Sequence, residues 1–117
     1  MTADPQRLQA LDDLVSHRIG VAEARSRLAD YPWDEDELLD LSPAHVLHVL
    51  AEYRAGRIDG AELTAWADAV DSRDDLGREP GTEDDVNDVL FVLSSPELMD
   101  RPLADLVPDL VARLGRS

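Results

Sequence analysis

The chain has 117 residues, in which twenty-six Asp and Glu stand against eleven Arg and no Lys, and its formal net charge is −15. Binding to nucleic acid or to an anionic membrane normally requires a patch of Lys and Arg, so this charge argues against both kinds of partner. The absence of Cys excludes disulfides and thiolate chemistry, and a hydrophobic fraction of 44% argues for a folded core rather than disorder.

The first two predicted elements are short helices. Asp4 and Pro5 are typical of an N-cap followed by the first helical residue, and apolar residues at helical spacing continue to about His17. A second helix is expected to begin after Gly20 and to end before Pro32. The N-terminal residues lack the basic and apolar regions of a secretion signal, and no stretch has the apolar length of a membrane span. We therefore expect a soluble, cytoplasmic protein.

The third and fourth predicted helices have clear start signals. Ser42 and Pro43 open one helix, and Gly56 is expected to end it. The next helix follows at once with Asp59 as its N-cap. Glu62, three residues later, is expected to complete a capping box with that N-cap.

The last third of the chain combines a loop with two further helices. Residues 71–81 are rich in charge, Gly and Pro, and they predict the longest loop of the domain. A helix is expected to begin at Thr82 and to end near Ser94, and the last helix is expected to end near Leu114. Because proline is costly inside a helix, either Pro108 lies in the first turn of this last helix or a short turn precedes it.

The elements together predict the fold class. No segment alternates apolar and polar residues over a length that indicates a strand. At this chain length, folding buries roughly two thirds of the unfolded surface, which is enough for one core. The predicted fold is therefore all-α, a single domain over residues 1–117 built as a bundle of five to six short helices.

Motifs that carry chemistry are weak in this chain. The serines lack a recognised nucleophile context, and the turn at 56–60 lacks the lysine of a phosphate-binding loop. The acidic run at 34–37 has neither the glycine nor the spacing of an EF-hand. His45 and His48 could reach one ion, although a closed zinc site needs further ligands, and the alternative is an ordinary surface or partly buried pair. We expect no enzymatic activity, no cofactor and no metal.

The acidic residues are distributed unevenly. Residues 59–88 contain eleven acids and two arginines, whereas residues 5–29 contain three acids and four arginines. This asymmetry favours an acidic face that meets a positively charged partner. The alternative is that the acidity reflects adaptation to high salt or a GC-rich genome, in which case it carries no information about a partner.

Two tryptophans and two acidic clusters define the candidate surface. Trp66 lies at helical spacing among apolar residues and is predicted to be part of the core. Trp33 precedes four acids, so it either covers the end of the bundle or forms an anchor ringed by charge. The candidate partner-binding residues are Trp33, Asp34, Glu35, Asp36, Glu37, Asp71, Asp74, Asp75 and Glu79. Reversal of Asp74 and Asp75 to Arg is expected to weaken binding without unfolding the protein.

Three stretches resemble small acidic helical bacterial proteins regarded as toxin immunity proteins. They are residues 62–68 (ELTAWAD), 73–75 (RDD) and 90–98 (LFVLSSPEL), and the resemblance extends from Ser42 to the end of the chain. The general plan is similar to that of the colicin D immunity type. The resemblance implies an acidic helical surface that covers the positively charged substrate groove of a nuclease toxin.

The sequence therefore predicts an inhibitory binding protein, an immunity protein or antitoxin, whose partner is a basic protein of the nuclease-toxin type. A nucleic-acid mimic or regulatory adaptor that binds a basic DNA-binding protein has the same electrostatics and remains an alternative. A third alternative is an enzyme that uses a carboxylate cluster, which would require a concave pocket holding an acid with a strongly raised pKa.

Overall fold

A computed structural model describes residues 5–31 and 37–115 of the chain. Within these residues the protein forms six helices, one 3₁₀ turn at Pro96–Leu98 and two short strands, and the predicted all-α bundle of five to six helices is confirmed. The helices are α1 (Pro5–Val15), α2 (Val21–Leu28), α3 (Pro43–Arg54), α4 (Gly60–Asp71), α5 (Glu83–Ser94) and α6 (Leu103–Gly115). The strands are β1 (Leu39–Leu41) and β2 (Leu76–Arg78). Among the described helices, none is both long enough and apolar enough to cross a membrane.

A single hydrophobic cluster draws on every helix and centres on the packing of α4 against α5. Trp66 on α4 is fully buried, and its indole Nε1 donates a hydrogen bond to the carbonyl oxygen of Leu14 at 2.8 Å. A buried indole N–H needs such a partner, because leaving it unpaired costs a desolvation penalty of about 1–3 kcal/mol. The prediction that Trp66 belongs to the core is confirmed.

Two short parallel strands, which no pattern in the sequence indicated, interrupt the helical pattern. β2 also lies within the segment 71–81 that was expected to be a loop. The register places Leu39 beside Leu76, Asp40 beside Gly77 and Leu41 beside Arg78. A three-residue strand is too short to show alternation in sequence, and its partner lies more than thirty residues away.

Helix caps were predicted in part. Ser42 caps α3 and Asp59 caps α4, where its carboxylate accepts a hydrogen bond from the backbone N–H of Glu62 at 2.8 Å. The expected capping box of Glu62 is wrong. Its carboxylate instead accepts from the backbone N–H of Val21 at 2.9 Å and lies 2.7 Å from Nε2 of His17. Glu62 thereby caps α2, whose N-cap residue is a glycine without a side chain, and ties α4 to the α1–α2 turn.

Pro108 lies inside α6, as its sixth residue. Of the two expected arrangements, its place in the first turn is wrong, and the turn from Pro102 that precedes it is continuous with the helix. The helix starts earlier because the carbonyl of Pro102 accepts from the backbone N–H groups of Asp105 and Leu106. Buried apolar residues on both sides of Pro108 hold the helix against the bundle. They are Leu106, Val107, Leu110 and Leu114.

Candidate functional site

Three of the predicted site residues meet in one groove. Glu37, Asp71 and Asp74 all line a groove of about 570 Å³ beside the two-stranded sheet. Glu79 is exposed just after β2. The predicted residues Trp33, Asp34, Glu35 and Asp36 lie outside the described part of the chain.

Five carboxylates line this groove, which we call the acidic groove. It is open, it lies between the strands and the start of α5, and two arginines also contribute to its lining. The acids are Glu37, Asp40, Asp71, Asp74 and Glu83. Asp40 and Glu83 were not predicted, because Asp40 has no local signal and Glu83 matches the ordinary acidic first turn of a helix.

Gly77 lies directly beneath two of these carboxylates, those of Glu37 and Asp40. A Cβ atom at this position would lie 2.6 Å from Oδ1 of Asp40 and 2.6 Å from Oε2 of Glu37. The parallel register brings Asp40 beside Gly77, and the missing side chain leaves the space that both carboxylates occupy. Glu37 and Asp40 therefore converge over the bare backbone of Gly77, which also lines the groove.

Asp75 is fully buried, which removes it from the predicted partner-binding surface. Its carboxylate accepts two hydrogen bonds from Arg73, at 2.9 and 2.8 Å, and one from Arg7 of α1 at 2.9 Å. Its backbone carbonyl also accepts from Leu38 N–H at 2.8 Å. The guanidinium groups of Arg7 and Arg73 compensate the buried negative charge. Asp75, which directly precedes β2, therefore links this strand to α1. The expectation that its reversal to Arg would leave the protein folded is inconsistent with this burial.

The second arginine of the groove is also engaged within the protein. Arg78 donates to Oδ1 of Asn87 at 2.8 Å, to two backbone carbonyls of its own strand at 3.2 Å, and to Asp71 at 3.3 Å. Asp71 is therefore partly neutralised. Within the described residues, Glu37, Asp40 and Asp74 form no ion pair.

Elsewhere on the surface most acids have an arginine partner. Arg18, Arg25, Arg27, Arg57, Arg101 and Arg113 each lie within 3.3 Å of a carboxylate. Of the carboxylates without an ion pair in the described residues, six line the acidic groove or adjoin a lining residue in sequence, and five are spread over the rest of the molecule. The six are Glu37, Asp40, Asp74, Glu79, Glu83 and Asp84. Four of the six, Glu37, Asp40, Asp74 and Glu83, line the groove itself, whereas Glu79 and Asp84 only adjoin lining residues in sequence.

The two histidines of α3 have separate roles. His45 is the N3 residue of a capping box, in which its Nδ1 accepts from the backbone N–H of Ser42 at 3.0 Å. Burial lowers the pKa of His45 below 6.5, and the negative charge of Asp12 opposes this effect only in part. Nε2 of His48 lies 3.5 Å from Glu52. In residues 5–31 and 37–115, no group of three or more His, Asp or Glu is arranged to hold a metal ion.

Comparisons with protein-family models, with curated proteins and with solved structures find no significant match for this chain.

Proposed function

We propose that this protein is an acidic inhibitory binding protein, an immunity protein or antitoxin, whose acidic groove occupies the positively charged substrate site of a nuclease-type toxin. The observation that carries the proposal is the convergence of Glu37 and Asp40 over Gly77, beside Asp74, without any ion pair in the described residues. These carboxylates are available to cations from outside the molecule. The sequence resemblance to toxin immunity proteins supports the same class of partner.

A groove lined by carboxylates can bind the arginine side chains with which nucleases hold phosphate. Arginine binds carboxylate and phosphate with the same bidentate geometry, so a groove of carboxylates competes directly with the nucleic-acid backbone. The net charge of −15 accelerates the encounter with a cationic protein at low salt. The same charge disfavours direct binding to nucleic acid, so inhibition would operate by occupying the enzyme.

The proposal is tested by capture of the partner followed by an inhibition assay. The immobilised protein is exposed to an extract of its source organism at about 50 mM and about 500 mM salt. We expect a basic protein that is retained mainly at low salt. Once purified, it should have nuclease activity that the acidic protein inhibits. Capture of a repressor or another DNA-binding protein without nuclease activity would support the nucleic-acid-mimic alternative and overturn the proposal.

Charge-matched variants locate the inhibitory surface. The groove variant carries Glu37→Gln, Asp40→Asn and Asp74→Asn, and the control variant carries Asp30→Asn, Asp100→Asn and Asp105→Asn. Both lose three charges, but only the first alters the groove. Because a hydrogen bond to a charged group contributes about 1.5–3 kcal/mol, the groove variant should inhibit at least about a hundredfold less well than the control. Equal inhibition by the two variants would contradict the proposed site.

A further inference from the structure

The described part of the chain has two exposed large apolar side chains, and they lie close together in sequence. Phe91 is 53% exposed and Leu98 is 67% exposed. Single exposed apolar residues are common on protein surfaces, whereas an aromatic residue with a second apolar residue nearby is the composition of an interface centre. Both residues fall within the sequence stretch that resembles immunity proteins.

Phe91 points away from the core on the same face of α5 as two acids. The inward face of this helix carries Val86, Val89, Leu90 and Leu93. Residues 84, 88 and 91 follow one another at helical spacing on the opposite face, and Asp84 and Asp88 are both exposed. With a rise of 1.5 Å per residue, Phe91 lies about 10 Å along the axis from Asp84. Asp84 follows Glu83, which lines the acidic groove.

The 3₁₀ turn holds Leu98 near the end of the same helix. The N–H of Ser95 donates to the carbonyl of Phe91 at 3.1 Å, and the N–H of Leu98 donates to the carbonyl of Ser95 at 3.0 Å. These two hydrogen bonds link Leu98 to the last turn of α5. The backbone of Leu98 is thus held next to the end of α5, whose exposed face carries Phe91 and begins beside the acidic groove.

We propose that Phe91, supported by Leu98, is the apolar anchor of the surface that binds a cationic protein. This inference rests on the proposed function and extends it. The partner meets the groove with Arg or Lys side chains and covers Phe91 with an apolar side chain. The two parts have different tasks, since charge accelerates association and sets its salt dependence, while a desolvated aromatic centre slows dissociation.

Two defined peptides test the inference without the natural partner. Both carry the same arginines at helical spacing. One has leucine between them, and the other has serine at the same positions. Binding to the full chain is measured by isothermal titration calorimetry, and the site is located from backbone amide shifts in NMR spectra. We expect the leucine peptide to bind about tenfold more tightly than the serine peptide and to shift amides near Phe91 and Leu98.

Variants separate the anchor from the groove. Phe91→Ala should remove the advantage of the leucine peptide without weakening the serine peptide, and Phe91→Leu should restore most of it. The groove variant should weaken both peptides much more than the control variant does, because both lose three charges but only the first alters the groove. If Phe91→Ala leaves the tenfold advantage intact, or weakens both peptides equally, the anchor is refuted while the groove proposal stands. If the groove variant binds both peptides as tightly as the wild type, the proposed function fails and this inference fails with it.

Discussion

Gly77 gives the acidic groove its shape because it has no side chain. The ends of Glu37 and Asp40 fill the space that a Cβ atom would need. Both are flexible side chains that can move away into the open groove. A methyl group at this position would therefore disturb the arrangement of the carboxylates more than it disturbs the backbone.

The substitution Gly77→Ala tests this point. We expect the free energy of unfolding to change by less than about 1 kcal/mol, because only side-chain ends must move. The carboxyl carbon shifts of Glu37 and Asp40 in NMR spectra should change, and the affinity for an arginine peptide should fall. A loss of stability of several kcal/mol would indicate instead that the strand itself must move.

Asp75 and Asp74 are adjacent in sequence but opposite in environment. Asp75→Asn would remove the buried negative charge that Arg7 and Arg73 both contact, and breaking such a buried pair costs about 3–5 kcal/mol. Asp74→Asn is the matched control, and it should change the free energy of unfolding by less than about 0.5 kcal/mol. Urea denaturation measures both values. Equal effects of the two substitutions would contradict the structural role of Asp75.

The lowered pKa of His45 makes the free energy of unfolding depend on pH. Its pKa is lowered in the folded protein, mainly by burial, so the unfolded chain binds the proton more readily. The contribution of neutral His45 to the free energy of unfolding is fully present above pH 6.5. It is lost as the pH falls from 6.5 toward the lowered pKa of the folded protein. Protonation also removes the Nδ1 acceptor that caps Ser42.

The variant His45→Gln isolates this effect. Glutamine can accept the same capping hydrogen bond but does not titrate. We expect the unfolding midpoint of the wild type to fall more than that of the variant between about pH 7 and about pH 5. Parallel pH profiles for the two proteins would exclude His45 as the source.

At the scale of elements, α6 contains a proline that weakens it. Pro108 has no N–H, so the carbonyl of Ala104 lacks its usual helical donor. The substitution Pro108→Ala should raise the free energy of unfolding by about 1–3 kcal/mol. Pro102→Ala is the control, since Pro102 contributes only its carbonyl and should change stability little. A lower free energy of unfolding for Pro108→Ala would show that the fixed φ angle of proline stabilises α6 by more than the missing hydrogen bond to Ala104 destabilises it.

At the scale of the whole molecule, the net charge of −15 opposes the compact state. Ion pairs on the exposed surface contribute little individually, typically about 0–1 kcal/mol each. We expect the thermal midpoint to rise when sodium chloride increases from about 10 mM to about 300 mM, because salt screens the repulsion. A midpoint that falls with salt would mean that the ion pairs of the arginines dominate.

Local physics explains what the sequence alone predicted correctly. The helix starts at Ser42 and Asp59 depend on side chains that bond to backbone groups three residues away, and such signals can be recognised from neighbouring residues in the sequence. The burial of Trp66 follows from apolar spacing within one helix. The acidity and its concentration in residues 59–88 are properties of composition.

Contacts between distant segments decided the rest. Only the pairing of β1 with β2 brings Glu37 and Asp40 together with Asp71 and Asp74, and three-residue strands leave no periodic signal. The position of α1 decides whether an aspartate is exposed or contacts arginines. For this reason Asp75 is buried against Arg7, although its neighbour Asp74 is exposed. The sequence by itself therefore determined the helices, their core and the sign of the surface charge, because these depend on neighbours along the chain. The tertiary structure alone decided which carboxylates form a groove.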